Sequence, residues 1–205
     1  DIDFKKFHSD LSKCLGEFAN VCSKYLDTPK GKAVYAGGDD FLGFVNLSYL
    51  FEVMNYFYNQ FEEKVNDPLK KYFIQEKKMS FSVGIAIAHY KIPLSEVISS
   101  ARVMEEEAKG IDNNKNAFAV EVLKHSGERQ SFKLKLEDGM GNSNFEIIHS
   151  LIQVLKSEEL SNTFIHSIVK EFEKLLYKGK EAKKNSSLNN LIETEINRLI
   201  ERSYN

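Results

Sequence analysis

The chain has 205 residues, 42% hydrophobic and 28% charged, a balance that supports one good core, or one core and a smaller helical appendage. A formal net charge of −2 excludes the global basic footprint of an autonomous nucleic-acid binder, so RNA contact would need local patches or partner subunits. No apolar run approaches the ~20 residues that span a bilayer and no signal-peptide pattern opens the chain, so the expectation is cytoplasmic, with no membrane partner. It begins with Asp1 rather than Met, as a piece of a longer polypeptide would.

Residues 4–26 carry apolar positions at helical spacing, and Thr28-Pro29-Lys30-Gly31 breaks the pattern. Cys14 and Cys22 share that apolar face about 12 Å apart along the axis, too far for a disulfide, and read as reduced core residues. Two apolar runs follow, Ala33–Ala36 and Phe41–Val45, separated by Gly37-Gly38-Asp39-Asp40, which reads as a hairpin. A second helix is expected from about Ser48 to Val65, ended by Asn66-Asp67-Pro68. Met79–Ala88 alternates and then becomes continuously apolar, as a central strand does. A third helix, Leu94–Lys109, follows Pro93, with Ser95 as expected cap and Gly110 as terminator. Ala117–Lys124 and Ser131–Leu136 read as strands joined across Ser126-Gly127-Glu128. Beyond the turn-rich segment 138–143 come three helical stripes, Phe145–Leu155, Leu160–Leu176 and Leu188–Ile200. With one strand added before residue 1 the order becomes β-α-β-β-α-β with an inserted helix. The expectation is therefore an α+β ferredoxin-like palm over 1–138, its first strand missing, and a helical bundle over 143–205.

Read alone, Gly37-Gly38-Asp39-Asp40 fits a solvated hairpin turn and a metal-binding tip equally well. Two considerations favour the metal. The flanking runs are strongly apolar, which predicts a hairpin in the middle of a buried sheet, and tandem carboxylates repel unless a cation offsets them. Such a tip would hold Mg²⁺ while its glycines let phosphates approach the backbone.

The run Val34-Tyr35-Ala36-Gly37-Gly38-Asp39-Asp40-Phe41-Leu42 resembles the signature of the large subunit of type III CRISPR effector complexes, Cmr type. Ser82–Leu94 resembles that subunit's next characteristic segment, and Glu107-Ala108-Lys109, Ala117–Lys124 and Ser126-Gly127-Glu128 follow in order, covering most of residues 4–130. The resemblance implies a palm related to diguanylate cyclases that polymerises ATP into cyclic oligoadenylates when target RNA is bound. It makes Asp39 a metal ligand for Mg²⁺ or Mn²⁺, Asp40 a ligand or the group orienting the attacking 3′-hydroxyl, and Gly37 and Gly38 the room for phosphates. Lys109 and Lys115 would meet the triphosphate, although an ordinary basic helix end and loop explains both. Ser82 and Gly84 would approach the nucleotide from the neighbouring strand, although a packed strand explains them equally. Lys91 is a weaker phosphate candidate, and His89 reads as structural.

The five histidines show no metal-ligand spacing, and with no His-Asp dipeptide the nuclease domain that often precedes this palm is expected to be absent. The family's first palm strand supplies another acidic ligand, and Asp1 and Asp3 are poor substitutes. This chain alone is thus expected to be weak or inactive. The implied partners are other complex subunits, including small helical ones, and guide and target RNA. Lys178, Lys180, Lys183 and Lys184 either touch phosphates or form a solvated loop. Two competing readings remain: a diguanylate-cyclase-type enzyme using GTP, and a non-catalytic palm serving as scaffold.

Overall fold

The computed structural model describes residues 3–73, 78–138 and 140–156, together with His166 and Arg198. Helix α1 spans Phe4–Tyr25, and the Asp3 carboxylate accepts hydrogen bonds from the backbone N–H groups of Lys5 and Lys6 at its start. Its apolar stripe buries Cys14, Phe18, Ala19 and Cys22. Both cysteines are free, and burial pushes the Cys22 thiol up to about 12.

Strands β1 (Gly31–Gly37) and β2 (Asp40–Val45) form an antiparallel hairpin with an irregularity between Ala33 and Tyr35. The hairpin does not lie in the middle of a buried sheet. Among the described residues it is a two-stranded sheet of its own, and Val34 and Tyr35 are each 56% exposed. Only its Phe41 and Val45 side pack on the core, so apolar residues on the other side remain at the surface.

Asn46 caps a 3₁₀ turn (Leu47–Tyr49) that leads into helix α2, Leu50–Phe61. Helical backbone then continues past the expected stop, through a π turn at Glu62–Asn66, a turn at Asp67–Leu69 and a 3₁₀ turn at Lys70–Tyr72. Pro68 falls in the first turn of the new segment, where an absent N–H is tolerated, and the continuation buries Val65 and Leu69 completely.

Strand β3 is Val83–Ala88, shorter than expected at its start. The preceding residues are held by side chains instead of a ladder: Asn66 brackets the Met79 backbone, and Asn116 Oδ1 accepts from Phe81 N–H at 3.2 Å. β3 runs parallel to β4 (Ala117–Leu123), with helix α3 (Leu94–Lys109) as the crossover, and β4 pairs antiparallel with β5 (Arg129–Lys135). The order β3-β4-β5 puts β3 at an edge of the described sheet, not at its centre. Pro93, not Ser95, is the N-cap of α3, without a side-chain hydrogen bond; Gly110 closes the helix by donating to Glu106 O at 2.9 Å. The basic residues of β5 reach acids around α3: Lys133 to Glu107 and Lys135 to Asp112, both at 2.6 Å, and Arg129 to Glu96.

Rings join the parts. Phe18 of α1 meets Phe57 and Phe61 of α2 and Phe81 before β3, edge to face, and Phe57 also meets Phe41 of β2. Phe118 of β4 stacks at 4.3 Å on Phe145, at the start of helix α4 (Asn144–Lys156). This packing carries the first compact unit through segment 138–143 to Ile148; a second unit begins at His149. The architecture is α+β, consistent with a ferredoxin-like palm. The two later stripes and the lysines at 178–184 lie outside the described residues. No helix among the described residues is long and apolar enough to cross a membrane.

Two outcomes follow from this core. Phe18→Ala, measured by urea unfolding, costs about 3–5 kcal/mol, whereas Phe4→Ala at an exposed position changes stability by less than about 0.5 kcal/mol. Iodoacetamide at pH 8 leaves Cys22 unlabelled in the folded protein and labels it once urea unfolds the chain, because only the solvated thiol ionises there.

Candidate functional site at the hairpin tip

The tip is built by the turn chemistry of four residues. Gly37 pairs with Asp40, and the two residues between them make the turn. Gly38 has φ +60°, open to glycine and strained for other residues, while Asp39 keeps a negative φ. Gly at the first central position is the type II′ preference, whose twist matches the flanking strands. The turn leaves the Asp39 and Asp40 side chains exposed to solvent.

Beside the tip, an open cleft of ≈ 240 Å³ runs between α1 and β1, lined by Gly16, Ala19, Asn20, Ser23, Ala36 and Gly38. Small residues make this space: nothing lies within 4 Å of where a Cβ would project from Gly16 or Gly38. Asn20 and Ser23 are its polar side chains. Sequence reasoning does not single them out, since isolated polar residues on an amphipathic helix read as solvated face. The signal was their spacing of three with Gly16 four positions earlier, which puts all three on one side of α1.

Lys109 ends α3. Its ammonium is held above the usual lysine range by the Glu105 carboxylate at 2.7 Å, then by Glu106, with Asp40 contributing as a further nearby negative charge. The hairpin turn brings Gly37, Gly38, Asp39 and Asp40 together, while Lys109 is paired with Glu105 and Glu106 and feels Asp40 only as a longer-range charge.

Three further candidates lie at the start of β3 and in the α3–β4 loop. A Cβ on Gly84 would lie 2.1 Å from Ala101 O and 2.3 Å from Glu105 N, so α3 backbone fills that space and close helix–strand packing accounts for the glycine. Ser82 precedes β3, and its Oγ is buried without a hydrogen-bond partner. Lys115 is exposed in the α3–β4 loop with φ +53°, and its carbonyl accepts from Lys135 Nζ at 2.6 Å. None of the three shares a hydrogen bond with the tip. Because α3 packs back along β3, Lys109 lies near the beginning of that strand. Lys91 follows its other end, about 20 Å away by the rise per residue. His89 sits there too, with Nδ1 accepting from Lys91 N–H at 3.3 Å and its ring 5.3 Å from that of His125.

No cluster of three or more His, Cys, Asp or Glu among the described residues is arranged to hold a metal. Two carboxylate side chains nonetheless fit a hard divalent cation shared with nucleotide phosphates, since Mg²⁺ commonly takes only one or two protein carboxylates and fills its shell with substrate oxygens and water.

Gly84→Ala separates packing from binding at that position: the alanine methyl meets helix backbone, so the variant loses about 1–3 kcal/mol in urea unfolding with no nucleotide present.

The Cas10/Cmr2 second palm domain model matches residues 3–119, more than half of the chain. The chain is also 29% identical over 124 residues to "CRISPR system Cmr subunit Cmr2" of Pyrococcus furiosus. That match takes in 58% of this chain and 13% of the relative, so the chain corresponds to a small part of that protein's length. A family match over residues 3–119, with the palm fold and the Gly-Gly-Asp-Asp hairpin inside it, makes this chain a member of the Cas10/Cmr2 second-palm family.

Proposed function

We propose that this palm joins ATP molecules into cyclic oligoadenylates within a type III CRISPR effector complex of the Cmr type. The observation that carries the reading is the tip itself: two exposed carboxylates beside Gly37 and Gly38, with an open cleft of ≈ 240 Å³ on one side.

In this reading the cleft holds one nucleotide, with its base toward Asn20 and Ser23 and its phosphates over Gly38, where no side chain intervenes. Lys109 balances phosphate charge by exchanging its Glu105 and Glu106 partners for phosphate oxygens. Asp39 and Asp40 hold Mg²⁺ or Mn²⁺, and Asp40 also orients the attacking hydroxyl. Divalent ions bound there would stabilise charge on the attacking and leaving oxygens. The 3′-oxygen of a second nucleotide bonds to the α-phosphorus. The bond from that phosphorus to the bridging oxygen breaks, pyrophosphate leaves with the electron pair, and the hydroxyl proton passes to water. Water-filled clefts do this poorly alone; positioning supplies much of the rate. Ser82 and Lys115 are assigned to the nucleotide's surroundings, Ser82 on the strength of its unpartnered hydroxyl. The partners in this reading are further subunits of the complex, including small helical ones, and guide and target RNA.

The test uses the assembled complex with guide and target RNA, Mg²⁺ and labelled ATP or GTP. Wild type yields cyclic oligoadenylate from ATP, and Asp39→Ala/Asp40→Ala lowers the yield at least about a hundredfold with assembly intact. A GTP-derived dimer, or no product from an intact complex, overturns the reading. The 205-residue chain by itself is expected to give no product above the double-alanine control.

A further inference from the structure

The hairpin has two faces, and the cleft uses one. Ala36 pairs with Phe41; Ala36 lines the cleft, and Phe41 packs on Phe57. Strand alternation puts Tyr35, Gly37, Asp40 and Leu42 on the opposite face, through the pairs Tyr35–Leu42 and Gly37–Asp40. There the Tyr35 ring leans over Gly37: a Cβ on Gly37 would sit 2.7 Å from the phenol oxygen and 2.9 Å from the carbon bearing it. Glycine at 37 is therefore what lets this ring reach toward the tip. The irregularity just before it, between Ala33 and Tyr35, is the kind of strand feature that re-aims a side chain. Tyr35 is no part of the core cluster and stays 56% exposed.

We propose that Tyr35 is the stacking platform for the purine of the second nucleotide, the one whose 3′-hydroxyl attacks. The proposal rests on the nucleotidyl-transfer reading above. In-line displacement requires the attacking oxygen to stand opposite the departing pyrophosphate. With one nucleotide in the cleft on the α1 side, the other comes to the tip from the face that carries Tyr35 and Asp40. An aromatic ring gives that nucleotide a base-tolerant hold without buried polar groups, and its anchoring on Gly37 fixes the ring before the ligand arrives. Tyr35 thereby acts as a binding residue for the nucleophile, separate from the carboxylates.

Two substitutions in the full-length protein, assembled with guide and target RNA, decide the matter. Tyr35→Phe keeps the ring, and Tyr35→Leu keeps apolar cover over Gly37 but removes the π face. The probes are quenching of 2-aminopurine riboside triphosphate fluorescence with Mg²⁺ and ATP conversion across ATP concentrations. Tyr35→Phe should match wild type in both. Tyr35→Leu should lose the quenching and require about tenfold more ATP for half-maximal rate, with the maximal rate and melting temperature little changed. A Leu variant that quenches and turns over like wild type overturns the proposal and leaves the nucleotidyl-transfer reading standing. Absence of product from wild type overturns both.

Discussion

Everything at the tip depends on one group of rings. The hairpin and the three-stranded sheet share no ladder among the described residues, so backbone hydrogen bonds do not set the position of one against the other. Phe18, Phe41, Phe57, Phe61 and Phe81 do. Edge-to-face contacts of this kind are worth about 0.5–1.5 kcal/mol each beyond their burial, and they also fix direction. Asp40 adjoins Phe41 in β2, whereas Lys109 ends α3, which packs through Met104 and Ala108 on the Ala117 and Ala119 side of β4. The rings thus set where the hairpin stands against α1 and α2.

What the sequence makes legible follows from how local the determinants are. The hairpin is visible because Gly37-Gly38 and the flanking apolar runs specify it within a dozen residues. The β3–α3–β4 order is equally plain, from strand and helix periods in succession. Strand partners are a different matter, since pairing joins residues far apart in the chain; hence the apolar run at 83–88 reads as central yet has one described neighbour. The expected helix stop at Pro68 fails for a local reason that periodicity does not reveal. A π turn and a fresh first turn accommodate the ring, and the gain is burial of Val65 and Leu69.

The site divides along the same line. Asp39, Asp40 and their glycines are contiguous, so composition alone points to them. Lys109 becomes meaningful only once α3 is seen to end near Asp40, and Asn20 and Ser23 only once α1 is seen to flank β1. Gly84 illustrates the reverse error to which small residues invite a reader. Its missing side chain makes room for a helix backbone, and the same absence would look identical in sequence if it made room for a ligand.

The outer strand β5 carries Arg129, Lys133 and Lys135, which in isolation resemble a basic strip. Each is already matched to an acid, at Glu96, Glu107 or Asp112. An exposed pair of this kind contributes at most about 1 kcal/mol, yet it largely cancels the field the cation would project. The edge of the sheet is therefore electrostatically quiet despite its composition. A polyanion approaching this palm would feel little pull from that side, and attraction would have to come from cations on other elements.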